Sequence, residues 1–147
     1  MEIVLYQPEI AGNVGAIIRL AANSGVSLNL IKPFGFDLQE NKIRRAGLDY
    51  HDLSNTKTYN SWEEFIETNN GKSICCLSSK GTDSYWDTNL NQYDFLLFGP
   101  ESIGLPDEII SSYKTITIPM KENSRSINLA NSVGIVVFES IRQASVQ

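Results

Sequence analysis

Short apolar runs alternate along the chain with segments in which apolar residues recur every three or four positions. Residues 2–6, 26–31, 72–77, 93–98 and 114–118 are rich in branched and aromatic side chains, which predicts five β-strands. The segments between several of these strands have helical periodicity. We therefore expect an α/β fold, with a mostly parallel sheet and helices on both of its faces.

The ends of the predicted helices carry recognisable signals. Asn13 is an N-cap residue type and Gly25 supplies a left-handed stop, which predicts a helix between them. Ser61-Trp62-Glu63-Glu64 fits a capping box and predicts a second helix, to about residue 68. Further helices are predicted at residues 38–46, 107–111 and 127–142, and a loop at residues 78–91. The last helix is apolar enough that we expect it to be buried on several sides.

Length and composition predict a single domain. The chain has 147 residues, of which 41% are hydrophobic, and one domain of this size buries roughly 70% of its unfolded surface. No run approaches the ~20 apolar residues of a membrane span, and no charged leader precedes the first strand. We therefore expect a soluble, cytoplasmic protein whose single domain covers residues 1–147.

Charge and metal-ligating residues exclude some functions. The net charge of −5 counts against indiscriminate binding to nucleic acid, although adjacent Arg44 and Arg45 leave room for a local basic face. His51 is the single histidine, so a zinc site lacks ligands and we expect no metal. Cys75 and Cys76 are adjacent within an apolar run, which favours buried, reduced core residues.

Three loops follow the carboxyl ends of predicted strands, where open α/β sheets place their ligands. They cover residues 8–13, 99–105 and 119–128, and the last joins a strand to the C-terminal helix. The polar residues expected to face a pocket there are Ser124, Arg125, Ser126 and Asn128. No glycine-rich dinucleotide motif follows the first strand and no Walker lysine loop is present, which disfavours ordinary dinucleotide or triphosphate binding.

Three segments in and around these loops resemble the motifs of a known enzyme class, the SPOUT RNA ribose methyltransferases. They are Asn13-Val14-Gly15-Ala16-Ile17-Ile18-Arg19, Leu97-Phe98-Gly99-Pro100-Glu101-Ser102-Ile103-Gly104-Leu105-Pro106 and Ile118-Pro119-Met120 through Ser124-Arg125-Ser126-Ile127-Asn128-Leu129. Residues 4–10 and 44–51 are further similar to the small tRNA (cytidine/uridine wobble) 2′-O-methyltransferases, a subgroup without an added RNA-binding domain.

The resemblance implies a fold feature, a cofactor and a partner. It implies a C-terminal deep trefoil knot, a homodimer and S-adenosylmethionine as methyl donor. Knots are nearly absent from proteins in general, so the periodicity of the chain does not predict one. The cofactor contacts that the resemblance implies are Leu77, Gly99, Glu101, Ile118, Met120, Ser126 and Leu129.

The implied reaction is methylation of the ribose 2′-hydroxyl of the wobble nucleotide, a cytidine or modified uridine at position 34 of tRNA. The resemblance assigns catalysis to Arg19, Ser126 and Asn128. Because a guanidinium is effectively never deprotonated, we expect Arg19 to orient the ribose and phosphate and to stabilise developing negative charge. The residues expected to hold the anticodon stem-loop are Arg19, Lys32, Arg44, Arg45, Lys80 and Arg125.

Two alternatives remain open at this point. The same reaction on another RNA, such as ribosomal RNA, fits the motifs shared across the class, whereas the short chain and the motif at residues 44–51 favour tRNA. A non-catalytic regulator that binds an adenosine compound or RNA is the second alternative. The presence of Arg19, Ser126 and Asn128 favours an enzyme.

Overall fold

A parallel β-sheet forms the centre of the protein. The computed structural model describes residues 1–37 and 53–146, and within them the sheet has seven strands. The strands are β1 (Glu2–Tyr6), β2 (Leu28–Ile31), β3 (Thr56–Tyr59), β4 (Ile74–Leu77), β5 (Asp83–Ser84), β6 (Phe95–Phe98) and β7 (Lys114–Thr117). Their order is β3-β2-β1-β6-β4-β7-β5, and every pairing is parallel. The predicted parallel sheet is confirmed.

Helices cover both faces of this sheet, as the sequence predicts. They are α1 (Ala11–Ser24), α2 (Trp62–Thr68), α3 (Asp107–Ser112) and α4 (Leu129–Ser145), with short 3-10 turns at Tyr85–Asp87 and Leu90–Gln92. Helices α1 and α4 pack together on one face, and α2 and α3 cover the other. The predicted capping box is confirmed, because Ser61 Oγ accepts a hydrogen bond from the Glu64 N–H at 3.1 Å.

The strands in the middle of the sheet are buried on both faces. In β1, Ile3 and Leu5 join the core beneath α1 and α4, whereas Val4 joins the core beneath α2 and α3. Cys75 and Cys76 in β4 alternate in the same way, and both are free and buried. Burial raises the pKa of each thiol to about 12, because an apolar surrounding disfavours the thiolate. These cysteines are core residues, as predicted.

Two edge strands were not predicted from the sequence. In β3 the run Thr-Lys-Thr-Tyr buries only Tyr59, and β5 has two residues within the segment predicted as a loop. The two strands lie at opposite edges of the sheet, and each pairs with a single neighbouring strand. An edge strand needs no continuous apolar face, so the apolar pattern that reveals the central strands is absent here.

The predicted N-cap at Asn13 is wrong. Helix α1 begins at Ala11 with Ile10 at the N-cap position, and the side chain of Ile10 makes no capping bond. Instead, the Ile10 N–H donates to Glu101 Oε1 at 3.1 Å. A carboxylate from a distant loop thus satisfies a donor at the helix start, which frees the Asn13 amide for other contacts. The predicted stop is confirmed at Gly25, which has a φ of 71°.

Helix α4 is buried along one side only, so the expectation of burial on several sides is wrong for the single chain. Asn128 is its N-cap, and the buried residues are Leu129, Val133, Val136, Val137 and Ser140. Ile135 and Phe138, which lie on the other side of the helix, are 37% and 57% exposed. The helix therefore presents an apolar stripe to its surroundings.

Some predictions lie outside the described residues. These are the basic helix at residues 38–46, with Arg44 and Arg45, and the single histidine, His51. In the described ranges no helix is long and apolar enough to cross a membrane. Nor do these ranges bring together three His, Cys, Asp or Glu side chains that could hold a metal ion. The threading of a trefoil knot stays a prediction.

Candidate active site

A cavity of about 380 Å³ opens at the carboxyl edge of the sheet, beside the ends of β4, β6 and β7. Its volume lies within the ~300–1,000 Å³ of small-molecule sites, and its position is the one expected for ligands of open α/β sheets. All residues predicted to contact a cofactor line it: Leu77, Gly99, Glu101, Ile118, Met120, Ser126 and Leu129. The structure thus brings these residues together, while their role stays a prediction.

The loop after β6 folds back closely on itself at Gly99. A Cβ atom at this position would lie 2.4 Å from the Leu105 nitrogen and 2.6 Å from the Gly104 carbonyl carbon. Gly104 has a φ of 69°, which side chains rarely tolerate. The two glycines therefore allow the backbone of residues 99–105 to form a compact wall of the cavity.

A second close approach lies between the loop after β4 and β7, next to the cavity residues Ser78, Ser79 and Lys80. A Cβ atom at Gly81 would lie 2.5 Å from the Ile116 carbonyl carbon, and the Ser78 N–H donates to the Ile116 oxygen at 3.0 Å. The loop after β4 consequently crosses the backbone of β7. Polar residues that sequence reasoning missed also line the cavity: Ser78, Ser79, Thr117 and Ser132. The signal for the first two is their position directly after a buried strand.

The amide of Asn13 links two of the loops that form the cavity. Its Nδ2 donates to Glu101 Oε1 at 3.3 Å, and its Oδ1 accepts from Asn128 Nδ2 at 3.0 Å. Asn128 Oδ1 in turn accepts from the Asn131 N–H at 3.2 Å, which caps α4. Asn13 therefore connects the loop after β6 with the start of α4. Sequence reasoning placed Asn13 in the first motif but gave it no role at the site.

The Glu101 carboxylate belongs to the frame of the cavity. Besides the bonds from Ile10 and Asn13, it accepts the Glu9 N–H at 2.8 Å. Three donors thus surround a carboxylate beside the start of α1, where the partial positive charge of a helix N-terminus favours an anion. These bonds hold the Glu101 side chain towards α1.

The predicted basic residues are spread more widely. Lys80 lines the cavity and pairs with Asp107 Oδ1 at 2.6 Å. Arg19, Lys32 and Arg125 are exposed, and none of the three lines the cavity. Of the three residues that the resemblance assigns to catalysis, Ser126 and Asn128 line the cavity and Arg19 does not.

Of the four polar residues expected to face the pocket, only Ser126 and Asn128 line the cavity. Ser124 and Arg125 are exposed and lie outside the cavity lining, so for these two the expectation is wrong. Both belong to the stretch before α4 that carries no regular secondary structure apart from a turn.

Fold and cavity together define an α/β protein with a small-molecule site at the carboxyl edge of its sheet. The chain belongs to the SpoU rRNA Methylase family, which it matches over residues 1–138. This confirms the resemblance to ribose methyltransferases that the three motifs indicate.

Individual relatives are similar over nearly the whole chain. The tRNA (cytidine(34)-2′-O)-methyltransferase of Aeromonas hydrophila is 46% identical, covering 97% of this chain and 94% of that protein. A solved structure that concerns "the 2-OH methylation of C/U34 on tRNA" is 41% identical, with a TM-score of 0.92 and coverage of 99% of this chain and 97% of that chain. The AdoMet-bound rRNA methyltransferase from Sinorhizobium meliloti is 25% identical, with a TM-score of 0.84 and coverage of 96% and 55%.

Proposed function

We propose that this protein transfers a methyl group from S-adenosylmethionine to the ribose 2′-hydroxyl of nucleotide 34 in the anticodon loop of tRNA. The target is a cytidine or a modified uridine. The observation that carries the proposal is the near full-length similarity to enzymes named for cytidine 34. The cavity supports it, because it gathers residues from all three motifs.

The residues of the cavity fit S-adenosylmethionine. Leu77, Ile118, Met120 and Leu129 offer apolar surface for a flat adenine ring, and the backbone of residues 99–105 offers donors and acceptors close to it. Because Gly99 has no side chain, its backbone can lie against the backbone of Gly104 and Leu105 and form this wall of the cavity. When bound, S-adenosylmethionine supplies an activated methyl group on its sulfonium. None of this needs a metal ion.

The residues of the chain have separate tasks in the proposed mechanism. Ser126 and Asn128 stand at the cavity lining, where the target ribose is delivered, and the Asn13–Asn128 bond fixes the start of α4. Arg19 orients the ribose and phosphate and stabilises negative charge on the 2′-oxygen. A guanidinium carries donors and no acceptor, so the hydroxyl proton passes to a phosphate oxygen of the RNA or to water.

A transfer assay tests this function against its rival. The family name and the Sinorhizobium meliloti structure favour ribosomal RNA as the second candidate substrate. We expect methyl-labelled S-adenosylmethionine to label total tRNA and not ribosomal RNA. Labelling of ribosomal RNA alone would support the second candidate, and binding of S-adenosylmethionine without any labelling would support a non-catalytic regulator.

The variant Asn13→Ala is expected to lower kcat about tenfold while changing the Kd for S-adenosylmethionine less than threefold. The substitution removes the contact that holds Asn128, at a cost of about 1–2 kcal/mol, and every 1.4 kcal/mol corresponds to a factor of ten. Single-turnover kinetics and calorimetry measure the two quantities. Asn70→Ala, an exposed site after α2, is the matched control. A wild-type kcat in Asn13→Ala would contradict the proposed role.

We propose that the anticodon stem-loop is held by Arg19, Lys32, Lys80 and Arg125, together with Arg44 and Arg45. The supporting observation for the first four is that they are exposed, as phosphate contacts must be. The double variant Arg44→Ala, Arg45→Ala is expected to weaken tRNA binding about tenfold or more at low salt and to leave S-adenosylmethionine binding unchanged. Equal loss of both affinities would contradict it.

We also propose that the protein is a cytoplasmic homodimer whose subunits meet through α4. The exposed side chains of Ile135 and Phe138 form an apolar stripe on a 17-residue helix, and such a stripe gains stability when a second copy covers it. The knot and the single domain are part of the same proposal. They are supported by the cavity, which is lined both by the loop after β6 and by residues from the stretch between β7 and α4.

The variant Phe138→Glu is expected to sediment as a 16.4 kDa monomer, and the wild type is expected to sediment with twice this mass. The introduced carboxylate would have to be buried in the interface, which is strongly unfavourable. Leu53→Glu changes an exposed apolar residue that does not belong to α4 and should remain dimeric. A monomeric wild type at micromolar concentration would contradict the proposed assembly.

A further inference from the structure

Two carboxylates, Glu9 and Glu101, accept hydrogen bonds between the loop after β1 and the loop after β6. The Glu9 N–H donates to Glu101 Oε2 at 2.8 Å. In return, Glu9 Oε1 accepts from Ser102 Oγ at 2.6 Å and from the Ser102 N–H at 3.4 Å. We call the contact between the Glu9 carboxylate and Ser102 the Glu9 clasp.

The clasp holds an exposed part of the cavity wall. We call residues 102–104 the lip, since they line the cavity and two of them are exposed. Ile103 in the lip is 82% exposed, so little packing holds it. The base of the loop is fixed by the close approach at Gly99 and by the bond from the Gly104 N–H to the Pro100 oxygen at 3.0 Å. The clasp adds an anchor from outside the loop.

Glu9 is itself held by a third loop. A Cβ atom at Gly35, which follows β2, would lie 2.7 Å from the Glu9 oxygen, and the Gly35 N–H donates to the Pro8 oxygen at 3.2 Å. Pro8 is buried. The backbone of Glu9 is therefore a fixed point between the loops after β1, β2 and β6, from which its carboxylate reaches the lip.

We infer that Glu9 is a positioning residue for cofactor binding, whose carboxylate orders the lip before S-adenosylmethionine enters the cavity. The inference rests on the proposed function. A preordered loop binds more tightly, because the entropy of ordering it does not oppose binding. Glu9 does not line the cavity, so its loss changes cofactor affinity and leaves the chemical step intact.

Calorimetry with S-adenosylmethionine, combined with steady-state kinetics, tests this role. Glu9→Ala is expected to raise the Kd about five- to tenfold, the net size of one ordinary hydrogen bond, with kcat within about twofold of the wild type. Ser102→Ala keeps its backbone donor and should raise the Kd about threefold. Because both changes break the same contact, the double variant should bind no more weakly than Glu9→Ala alone.

Two further variants separate the clasp from general effects. Glu9→Gln keeps an acceptor oxygen for Ser102 and should bind S-adenosylmethionine within about twofold of the wild type. Glu67→Ala removes the same charge from an exposed position on α2 and should leave the Kd unchanged. If Glu9→Ala fails to fold, Ser102→Ala, which removes only a hydroxyl, provides the same test.

Three results would overturn the inference. The first is an unchanged Kd in Glu9→Ala, or in Ser102→Ala if Glu9→Ala does not fold. The second is additive effects of the two substitutions in the double variant. The third is a Kd for Glu9→Gln as high as that for Glu9→Ala. If the wild type bound no S-adenosylmethionine, the proposed function would fail and the inference with it. If the wild type and Glu9→Ala bound S-adenosylmethionine equally well, the inference would fail and the proposed function would stand.

Discussion

The variant Gly99→Ala is expected to bind S-adenosylmethionine at least about 30-fold more weakly than the wild type. The new methyl group would lie 2.4 Å from the Leu105 nitrogen, and the nearest atoms belong to the backbone, so the wall of the cavity must move. A displacement of this kind costs about 2–4 kcal/mol, which corresponds to a factor of about 30 to 1,000 in affinity. Calorimetry measures the Kd directly.

Gly12→Ala is the matched control for this prediction. Gly12 lies in α1, and a Cβ atom there would meet nothing within 4 Å. Alanine also favours a helix over glycine, so this variant should fold at least as stably as the wild type and bind S-adenosylmethionine equally well. Unchanged cofactor affinity in Gly99→Ala would show that the loop after β6 does not form the binding wall.

The variant Arg19→Ala is expected to lower kcat about 100- to 1,000-fold, with the Kd for S-adenosylmethionine within about twofold of the wild type. The range is that of losing one charged donor that stabilises a developing oxyanion. The cofactor affinity is preserved because Arg19 does not line the cavity of its own chain. Single-turnover methyl transfer to tRNA, with both substrates saturating, measures the effect.

Arg19→Lys distinguishes geometry from charge. A lysine keeps the charge but loses the planar, bidentate donors, so we expect it to recover only a small part of the lost rate. Recovery of nearly full activity would show that charge alone is sufficient. Lys72→Ala removes a cation that precedes the amino end of β4, whereas the cavity lies at the carboxyl ends of the strands. This variant is the control for net charge. A wild-type rate in Arg19→Ala would contradict its catalytic assignment.

The central strands could be predicted from sequence because burial on both faces makes them continuously apolar, as in the run Phe-Leu-Leu-Phe of β6. The edge strand β3 could not be predicted, because its Thr-Lys-Thr-Tyr run is mostly polar and buries only Tyr59, so it resembles a loop. The exposed side of α4 was missed for a related reason. An apolar helix pattern does not show which sides of the helix are covered within the chain.

Some features of the candidate site could likewise be predicted from the sequence, and others could not. The loops after the strands mark the cavity, and the motif resemblance identifies its lining residues. The contacts between loops are long-range and leave no local pattern. Glu9 and Glu101 are separated by more than ninety residues, and so are the partners in the Glu9–Ser102 contact. Asn13 was assigned as an N-cap because the sequence does not show that Glu101 satisfies the start of α1.

Mapping the methylated nucleotide tests the central claim most directly. Wild-type protein would be incubated with S-adenosylmethionine and total tRNA, and nuclease digests would be sequenced by mass spectrometry. The proposed function predicts a single added methyl group, on the ribose 2′-oxygen of nucleotide 34, and none when Arg19→Ala replaces the wild type. Methylation of a base, or of a ribose elsewhere in the tRNA with nucleotide 34 unmodified, would contradict it.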